Sequence, residues 1–298
     1  MDAPVTISTP PVAPTAATPV SERSQARRET LRVLVRRPAF IIGVIVMVGW
    51  IITAILGDRI TPYDPFNDFR DNHQPPSVAH LFGTDRLGRD VLSRVMVGSR
   101  DVLIVAPMAA IVGVVAGTLL GLIMGFYRGV VDDVLSRLVE AFLALPVILV
   151  ALLTLVVLGS SPFVVVAVVG ILFTPIVART VRSAVLSERQ LDYVTAARLR
   201  GESGLFILSR EIFPNVLGPT VVELTVRFGY AIFTVATLSF LGVGIQPPSP
   251  DWGLSVSEEY TNMISGVWWP TLFPALAIAS TVIAVNLIAD SLQSVLNE

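Results

Sequence analysis

Few residues of this chain have the types and spacing that enzyme chemistry needs. The two histidines, His73 and His80, lie in one loop, and the sequence contains no cysteine. This set of residues matches neither a metal site nor a nucleophilic triad. All 21 basic residues are arginine, so the lysine with which a P-loop contacts nucleotide phosphates is missing. We therefore expect no catalytic residue, no metal and no cofactor in this chain, and no ATP hydrolysis by it alone.

Charged residues in the same long loop alternate in sign beside apolar residues that recur at helical spacing, such as Leu87, Val91 and Val95. This pattern predicts an amphipathic helix at the outer membrane face. Such a helix either only supports the bundle or has a function of its own. The residues concerned are Asp85, Arg86, Gly88, Arg89, Asp90 and Arg94.

A second charged pair, Glu223 and Arg227, lies within an apolar segment, near the end that we expect to be cytoplasmic. Glutamate four residues before arginine favours an ion pair on one helix face. Because a charge inside the membrane is expensive, the pair indicates either a transport pathway or a structural ion pair. Both interpretations stay open.

The elements that must carry these residues are membrane helices. The chain has 298 residues, 53% of them hydrophobic and 15% charged, and a mean hydropathy of +0.73, whereas a soluble protein needs far more polar surface. We expect an all-α membrane protein with six transmembrane helices. The predicted spans are 39–57, 102–126, 138–158, 163–178, 217–241 and 271–289.

The polar segments divide the chain into three parts. The first 30 residues are rich in proline, serine and threonine without apolar periodicity, which is typical of a disordered tail. We predict a disordered cytoplasmic tail over 1–36, a first transmembrane helix with an extracytoplasmic loop over 37–101, and a transmembrane core over 102–298.

Arginine placement predicts the orientation, because cytoplasmic flanks of membrane helices carry the excess of basic residues. With both termini inside, fourteen arginines fall on the cytoplasmic side. The other side keeps six, all in one loop between Asp58 and Asp101, whose length weakens the rule there. The polar segment 190–215 is then cytoplasmic.

This segment has the pattern of a helix, a turn and a second helix. Asp192 is a candidate N-cap, Gly201 suits a left-handed position at the helix end, and Ser203 can cap a short helix that ends before Pro214. Two adjacent alanines in the first helix would let another surface approach the backbone, with arginines beside them for its carboxylates. A solvated connection between two spans explains the pattern equally well.

The segment resembles the EAA motif of binding-protein-dependent ABC importer permeases. Two alanines stand at its start, with a glycine four residues later and a closing proline, while Thr195 stands where the family usually has glutamate. In that family the loop is a coupling helix that sits in a groove of the cytoplasmic ATP-hydrolysing subunit. The resemblance implies the following contact residues: Asp192, Tyr193, Thr195, Ala196, Ala197, Arg198, Arg200, Gly201 and Pro214.

Four further stretches resemble permeases of this family, in the same order along the chain, and the first of them is similar to a segment in permeases of peptide and nickel importers. They are FGTDRLGRDVLSRVMVGSR after the first helix, GFYRGVVDDVLSRLVEAFLALP between the second and third, LSFLGVGIQPPSPDWG, and NLIADSLQ near the end. The third is similar to a stretch of dipeptide and oligopeptide permeases of the C type. The resemblance thus covers nearly everything after the tail.

This resemblance implies a non-hydrolytic permease subunit in the plasma membrane of a bacterium, importing dipeptides or oligopeptides. Its implied partners are a sister permease in a heterodimer, one or two ATPase subunits that bind ATP and magnesium, an extracytoplasmic peptide-binding protein and the lipid bilayer. No nucleic-acid partner is expected.

The same resemblance assigns the charged segment after the first helix to an outer gate or to the docking of the delivered binding protein. A nickel, glutathione or haem importer of the same architecture is the alternative. An ion-coupled secondary transporter is the alternative of another class.

Four glycines recur every fourth residue in the second span, at Gly113, Gly117, Gly121 and Gly125. On a helix they form one smooth stripe that lets a neighbouring helix pack closely. The neighbour belongs either to this chain or to a second permease subunit, and the sequence leaves both open.

Overall fold

A computed structural model describes residues 33–67 and 72–296 of the chain. The predicted tail, 1–36, lies outside the described residues except for its last four positions. The described part contains no β-strand, and one isolated β-bridge joins Thr84 to Asp90. The predicted all-α membrane architecture is confirmed.

The helices follow one another with short connections. Their bounds are α1 Pro38–Ile60, α2 Val91–Tyr127, α3 Val130–Leu143, α4 Val147–Leu158, α5 Pro162–Glu188, α6 Asp192–Leu199, α7 Gly204–Phe240, α8 Trp252–Glu259 and α9 Trp269–Leu296. A 3₁₀ turn, Tyr260–Ser265, follows α8.

Proline and capping side chains determine where the long helices begin. Pro38 and Pro162 open α1 and α5, where a missing N–H costs nothing. Asp90 caps α2, since its carboxylate accepts hydrogen bonds from the Ser93 amide at 2.8 Å and the Ser93 hydroxyl at 2.7 Å. Because of this cap, α2 begins at Val91, well before the predicted span.

The glycine stripe packs inside the chain, against α5. A β-carbon on Gly117 would lie 2.5 Å from the β-carbon of Val177, and one on Gly113 would lie 2.8 Å from the carbonyl oxygen of Gly170. We call the four glycines the glycine seam. The sequence left open whether these glycines pack against this chain or against a second permease subunit, and the structure shows that they pack against α5 of this chain. Further along, the seam contacts are Gly121 with Val181 and Gly125 with Val185.

The seam also gives the direction of the helices. Residue numbers rise together along α2 and α5, so the two helices run parallel, and the chain between them must return to its starting side. That return is made by α3 and α4, which are bent by 86° at Pro146, where helix continuation is disfavoured. Among residues 33–67 and 72–296, five helices are long and apolar enough to cross a membrane, or six if this bent pair is one span.

The fifth predicted span begins earlier than the sequence suggested. α7 is one continuous helical segment whose residues Ile207–Ile212 form a π-helical turn. The prediction that the helix after Ser203 ends before Pro214 is therefore wrong. Pro214 has no N–H, and in a regular α-helix its ring would press on the carbonyl group one turn back. The π turn before it is wider than an α turn, so the helix can continue through Pro214.

α1 lies at the edge of the bundle, against α9 and α2. The Trp50 ring N–H donates to the Ser280 hydroxyl at 3.0 Å, and a β-carbon on Gly43 would lie 2.7 Å from the carbonyl oxygen of Ala284. Most of the remaining surface of α1 is apolar and exposed, as a lipid-facing helix requires.

Candidate functional site

One end of the bundle, predicted to be cytoplasmic, carries the helix and turn of the coupling motif. Gly201 has a φ of +78°, the left-handed conformation predicted for the end of α6. The Ser203 hydroxyl accepts a hydrogen bond from the Phe206 amide at 3.3 Å and caps α7, as predicted. Asp192, in contrast, is the first residue of α6, and Leu191 occupies the N-cap without a side-chain bond.

One face of α6 is buried in the chain's own core. Val194 and Ala197 are both 0% exposed and pack with Ile207 and Ile212 of α7 and with Phe126 at the end of α2. The prediction that Ala197 belongs to an exposed docking surface is therefore wrong. Its small side chain instead lets α6 lie close to α7.

The opposite face of α6 is exposed and rich in leucine. Leu199 is 85% exposed, and Leu205, at the start of α7, is 71% exposed. Two such exposed apolar side chains at the two ends of one short turn are candidate contacts for a partner. We call the following set the docking face: Leu191, Thr195, Ala196, Leu199 and Leu205.

Sequence reasoning missed the leucines of this face because it concentrated on alanine and arginine. The signal was nevertheless present. Leu191, Thr195 and Leu199 follow each other four residues apart, which places them on one side of a helix.

Tyr193 fixes α6 to its neighbours. Its hydroxyl donates to the Glu188 carboxylate at 2.6 Å and accepts a hydrogen bond from the Asn215 amide at 3.1 Å, so it ties α6 to the end of α5 and to the first half of α7. Burial, and then the bond to Glu188, raise the pKa of Tyr193 to about 12. The hydroxyl therefore stays protonated and remains committed within the chain.

The two arginines of the coupling motif remain accessible. Arg198 lies over the Phe126 ring with its Cζ atom 5.8 Å from the ring centroid. Arg200 Nη2 lies 3.4 Å from Glu211 Oε1, and its Nε lies 3.9 Å from Glu202 Oε1. Exposed pairs of this kind contribute little, so both guanidinium groups are available to carboxylates of a partner.

At the opposite end of the bundle, a tight turn replaces the first half of the predicted amphipathic helix. Gly88 has a φ of +77°, which is incompatible with a right-handed helix. The Asp85 carboxylate accepts hydrogen bonds from two backbone amides of the turn, each at 2.9 Å. The prediction of a helix from Asp85 to Asp90 is therefore wrong, and only Arg94 of the candidate set lies on a helix.

The turn is fastened to α8 by what we call the outer polar network. Arg86 Nη2 lies 2.9 Å from Glu258 Oε1, and the Arg86 backbone amide donates to Glu259 Oε1 at 2.9 Å. Arg89 donates to Asp85 Oδ2 at 2.7 Å and reaches Glu258 Oε2 at 3.4 Å. Glu259 is buried, so the Arg86 amide stabilises a carboxylate that would otherwise be costly to desolvate.

Both histidines belong to the same region. His73 Nε2 lies 3.1 Å from Glu259 Oε2, and His80 Nδ1 lies 2.9 Å from Asp90 Oδ1. Each imidazole is thus bonded to a buried carboxylate. The histidines help to hold the loop 72–90 in place.

Arg86 is the exposed residue of the predicted gate or docking set, and the other members are buried. Since their charges are paired inside the turn, they fix its shape and do not form a contact surface. The buried members are Asp85, Gly88, Arg89, Asp90 and Arg94.

The intramembrane pair forms as predicted. Arg227 Nε lies 2.9 Å from Glu223 Oε2, and the Arg227 guanidinium lies 5.0 Å from the centroid of the Tyr230 ring. Because α7 begins at Gly204, the pair lies near the middle of that helix and not near its predicted cytoplasmic end. The two charges neutralise each other.

Asp251 should make the stability of the protein depend on pH. It caps α8 through a bond from the Leu254 amide at 2.9 Å and is fully buried, and burial raises its pKa from 3.8 to about 6. The folded state then binds this proton more tightly than the unfolded state does. Stability should therefore fall as pH rises from about 4 to about 6, by up to about 3 kcal/mol, and then stay constant.

The check is thermal unfolding of the purified protein in detergent between pH 4.5 and 7.5, for the wild type and Asp251→Asn. Asparagine keeps the capping oxygen but cannot ionise, so the variant should be the more stable protein above pH 6 and should lose much of the slope below it. An unchanged slope would show that another group is responsible.

Comparison with known proteins agrees with this architecture. Residues 117–298 match the family model of the binding-protein-dependent transport system inner membrane component, and residues 24–76 match that of the N-terminal transmembrane domain of oligopeptide transport permease C. A relative from Brucella suis, named as a peptide transport system permease protein, is 39% identical over 269 residues, which cover 90% of each chain.

A second relative, the glutathione transport system permease protein of Escherichia coli O157:H7, is 41% identical over 249 residues, which cover 83% of this chain and 82% of that protein. The resemblance drawn from the motifs is thus confirmed. The chain belongs to the family of inner membrane components of binding-protein-dependent transport systems, the permease subunits of ABC importers.

Proposed function

We propose that this chain forms half of a translocation pathway that imports dipeptides or oligopeptides across the plasma membrane of a bacterium. The proposed cargo is supported by the similarity to a peptide transport permease over 90% of the chain, together with the match of residues 24–76 to a domain of oligopeptide permeases. The orientation rests on the arginine distribution, with both termini in the cytoplasm.

A specific observation favours glutathione as the second candidate cargo. The relative that transports it is slightly more identical, at 41%, although over a shorter part of the chain. Glutathione is itself a small peptide with free carboxylates. Glutathione carries one more carboxylate than a dipeptide without charged side chains, so the two candidates differ in net charge as well as in shape.

The chain works with several partners in this proposal. A sister permease completes the pathway, one or two cytoplasmic ATPase subunits bind ATP and magnesium, and an extracytoplasmic binding protein delivers the cargo. The chain itself contributes no catalytic residue and no cofactor. On the outer side, Arg86 and the neighbouring exposed Leu87 are the groups that a delivered protein can contact.

Coupling takes place through the docking face. α6 is tied to α5 and α7 by Tyr193 and by the buried Val194 and Ala197, so it cannot move independently of those helices. When the ATPase subunits close around ATP, they displace the docking face, and α5 and α7 tilt with it. The permease thereby alternates between outward-facing and inward-facing states.

Uptake of a labelled dipeptide tests the cargo directly. We expect cells that lack this chain to lose uptake, cells with the chain restored to regain it, and unlabelled tripeptide or glutathione to compete, while nickel and haem do not. Competition by nickel or haem alone, or uptake that is unchanged without the chain, would contradict peptide import by this subunit.

A further inference from the structure

A polar groove lies between α5 and α7, in the half of α5 that ends near α6. Its volume is about 530 Å³, and Arg179, Ser183 and Ser187 follow one another along it at intervals of four residues, so they form a single stripe on α5. We call this feature the polar groove. Its other lining residues are Thr180, Ala184 and Pro219.

Arg179 differs from two other arginines of the long helices α5 and α7, Arg182 and Arg227. Arg182, three residues further along α5, makes two bonds to Asp132 at 2.6 and 2.7 Å, and Arg227 pairs with Glu223. Arg179 has no carboxylate partner among residues 33–67 and 72–296, and it is exposed.

Arg179 directly follows the predicted span 163–178 and lies, at about 1.5 Å per residue, about 14 Å before the end of α5. It is therefore placed at the predicted cytoplasmic boundary of the membrane, where an unpaired guanidinium can reach water. The groove accordingly fits the water-exposed mouth of a passage better than a lipid contact.

Beside the Arg179 guanidinium, the groove also contains hydroxyl groups that can accept hydrogen bonds. The Thr180 hydroxyl donates to the Ile176 carbonyl, and the Ser187 hydroxyl donates to the Ser183 carbonyl, each at 3.3 Å, so the hydroxyl oxygens stay free to accept. The groove thus offers a guanidinium fork, whose planar geometry matches a carboxylate, beside acceptors for N–H groups. A peptide with a free C-terminus carries both of the complementary groups.

We propose that the polar groove is part of the translocation pathway and that Arg179 binds the carboxylate of the peptide in transit. This inference rests on the proposed peptide import and adds to it the residue and the chemical group that are recognised. An exposed single pair is weak. Weak binding suits a pathway, because the cargo must leave as readily as it enters.

The first test measures uptake of alanyl-alanine and of its C-terminal amide by the complete transporter, reconstituted in lipid vesicles with its binding protein. Arg179→Gln should lower the rate for alanyl-alanine about fivefold and leave the rate for the amide unchanged, while Arg179→Lys should fall between. ATP hydrolysis and subunit composition should match the wild type. Arg137→Gln, which changes an exposed arginine of α3, is the control and should alter neither rate.

The second test needs no transport. The chain contains no cysteine, so Ser183→Cys introduces a single thiol into it at the groove. The ratio of its rates with an anionic and a cationic methanethiosulfonate should be higher than the same ratio for a small thiol free in solution, and Arg179→Gln should remove this preference. Ile111→Cys, on an exposed apolar part of α2, is the lipid-facing reference and should react slowly with both reagents.

The outcomes separate this inference from the proposed function. Equal loss of both peptides together with ATPase activity would show that Arg179 contacts a protein partner, and that result would overturn the inference. Wild-type rates in Arg179→Gln, or an unreactive Ser183→Cys, would overturn it as well. If the wild type takes up neither peptide, the proposed cargo is wrong, and the thiol preference still decides whether the groove holds water and attracts anions.

Discussion

Replacement of Gly117 by leucine should abolish the folded permease. The first added carbon would already lie 2.5 Å from the Val177 β-carbon and 2.8 Å from the Thr174 carbonyl oxygen, and a backbone oxygen cannot rotate away. Overpacking a well-packed site typically costs about 1–3 kcal/mol, and leucine here must separate α2 from α5 along their main contact. We expect little monodisperse Gly117→Leu protein after detergent extraction and no uptake by it. The yield and uptake of Gly117→Ala should lie between those of Gly117→Leu and the wild type.

Gly49→Leu is the matched control for this experiment. Gly49 also lies inside a membrane helix, α1, but a β-carbon there would meet nothing within 4 Å. The variant should be extracted and should transport like the wild type. A Gly117→Leu protein with normal yield and normal unfolding temperature would show that the glycine seam does not hold the bundle together.

Leu199→Glu should remove transport while the permease itself stays folded. The side chain is 85% exposed, so the substitution disturbs no internal packing. A buried anchor residue at the centre of an interface contributes about 2 kcal/mol or more, and placing a carboxylate there also leaves a charge to be desolvated. We expect the ATPase subunits to be lost on copurification and uptake to fall by at least about tenfold.

The control changes an equally exposed apolar residue at the other end of the bundle. Val78 is 99% exposed, and Val78→Glu should leave the amount of copurified ATPase unchanged. Retention of the ATPase subunits and of uptake by the Leu199→Glu protein would place the coupling surface elsewhere. Loss in both variants would show that the effect of a new acidic group is unspecific.

The course of the membrane helices could be predicted because their signal is local. Apolar runs of about 20 residues identify spans in any bilayer protein, and the first span was predicted within a few residues of α1. The bend at Pro146 was not predicted, because the apolar run 138–158 crosses the proline without a change in composition. The π turn before Pro214 was missed because proline normally stops a helix.

The candidate sites were predicted less well, because burial depends on the neighbours of a helix. Gly201 and Ser203 were predicted correctly since their conformations are set by short-range chemistry. Ala197 was placed on the wrong face because two adjacent alanines do not reveal which of them packs against α7. The partners of Arg86 and Arg89 were beyond prediction, since Glu258 is more than 160 positions away.

The outer polar network has a consequence for how the protein is assembled. The Arg86 amide and the Glu259 carboxylate are separated by 173 positions, so the loop 72–90 is synthesised long before its acceptors on α8 exist. The network can close only when α7 has crossed the membrane and has brought α8 to the same side as that loop. A chain that skips one of the crossings between this loop and α8 would leave Glu259 on the other side of the membrane from its donors, so closure of the network distinguishes chains that have made all of these crossings from chains that have missed one.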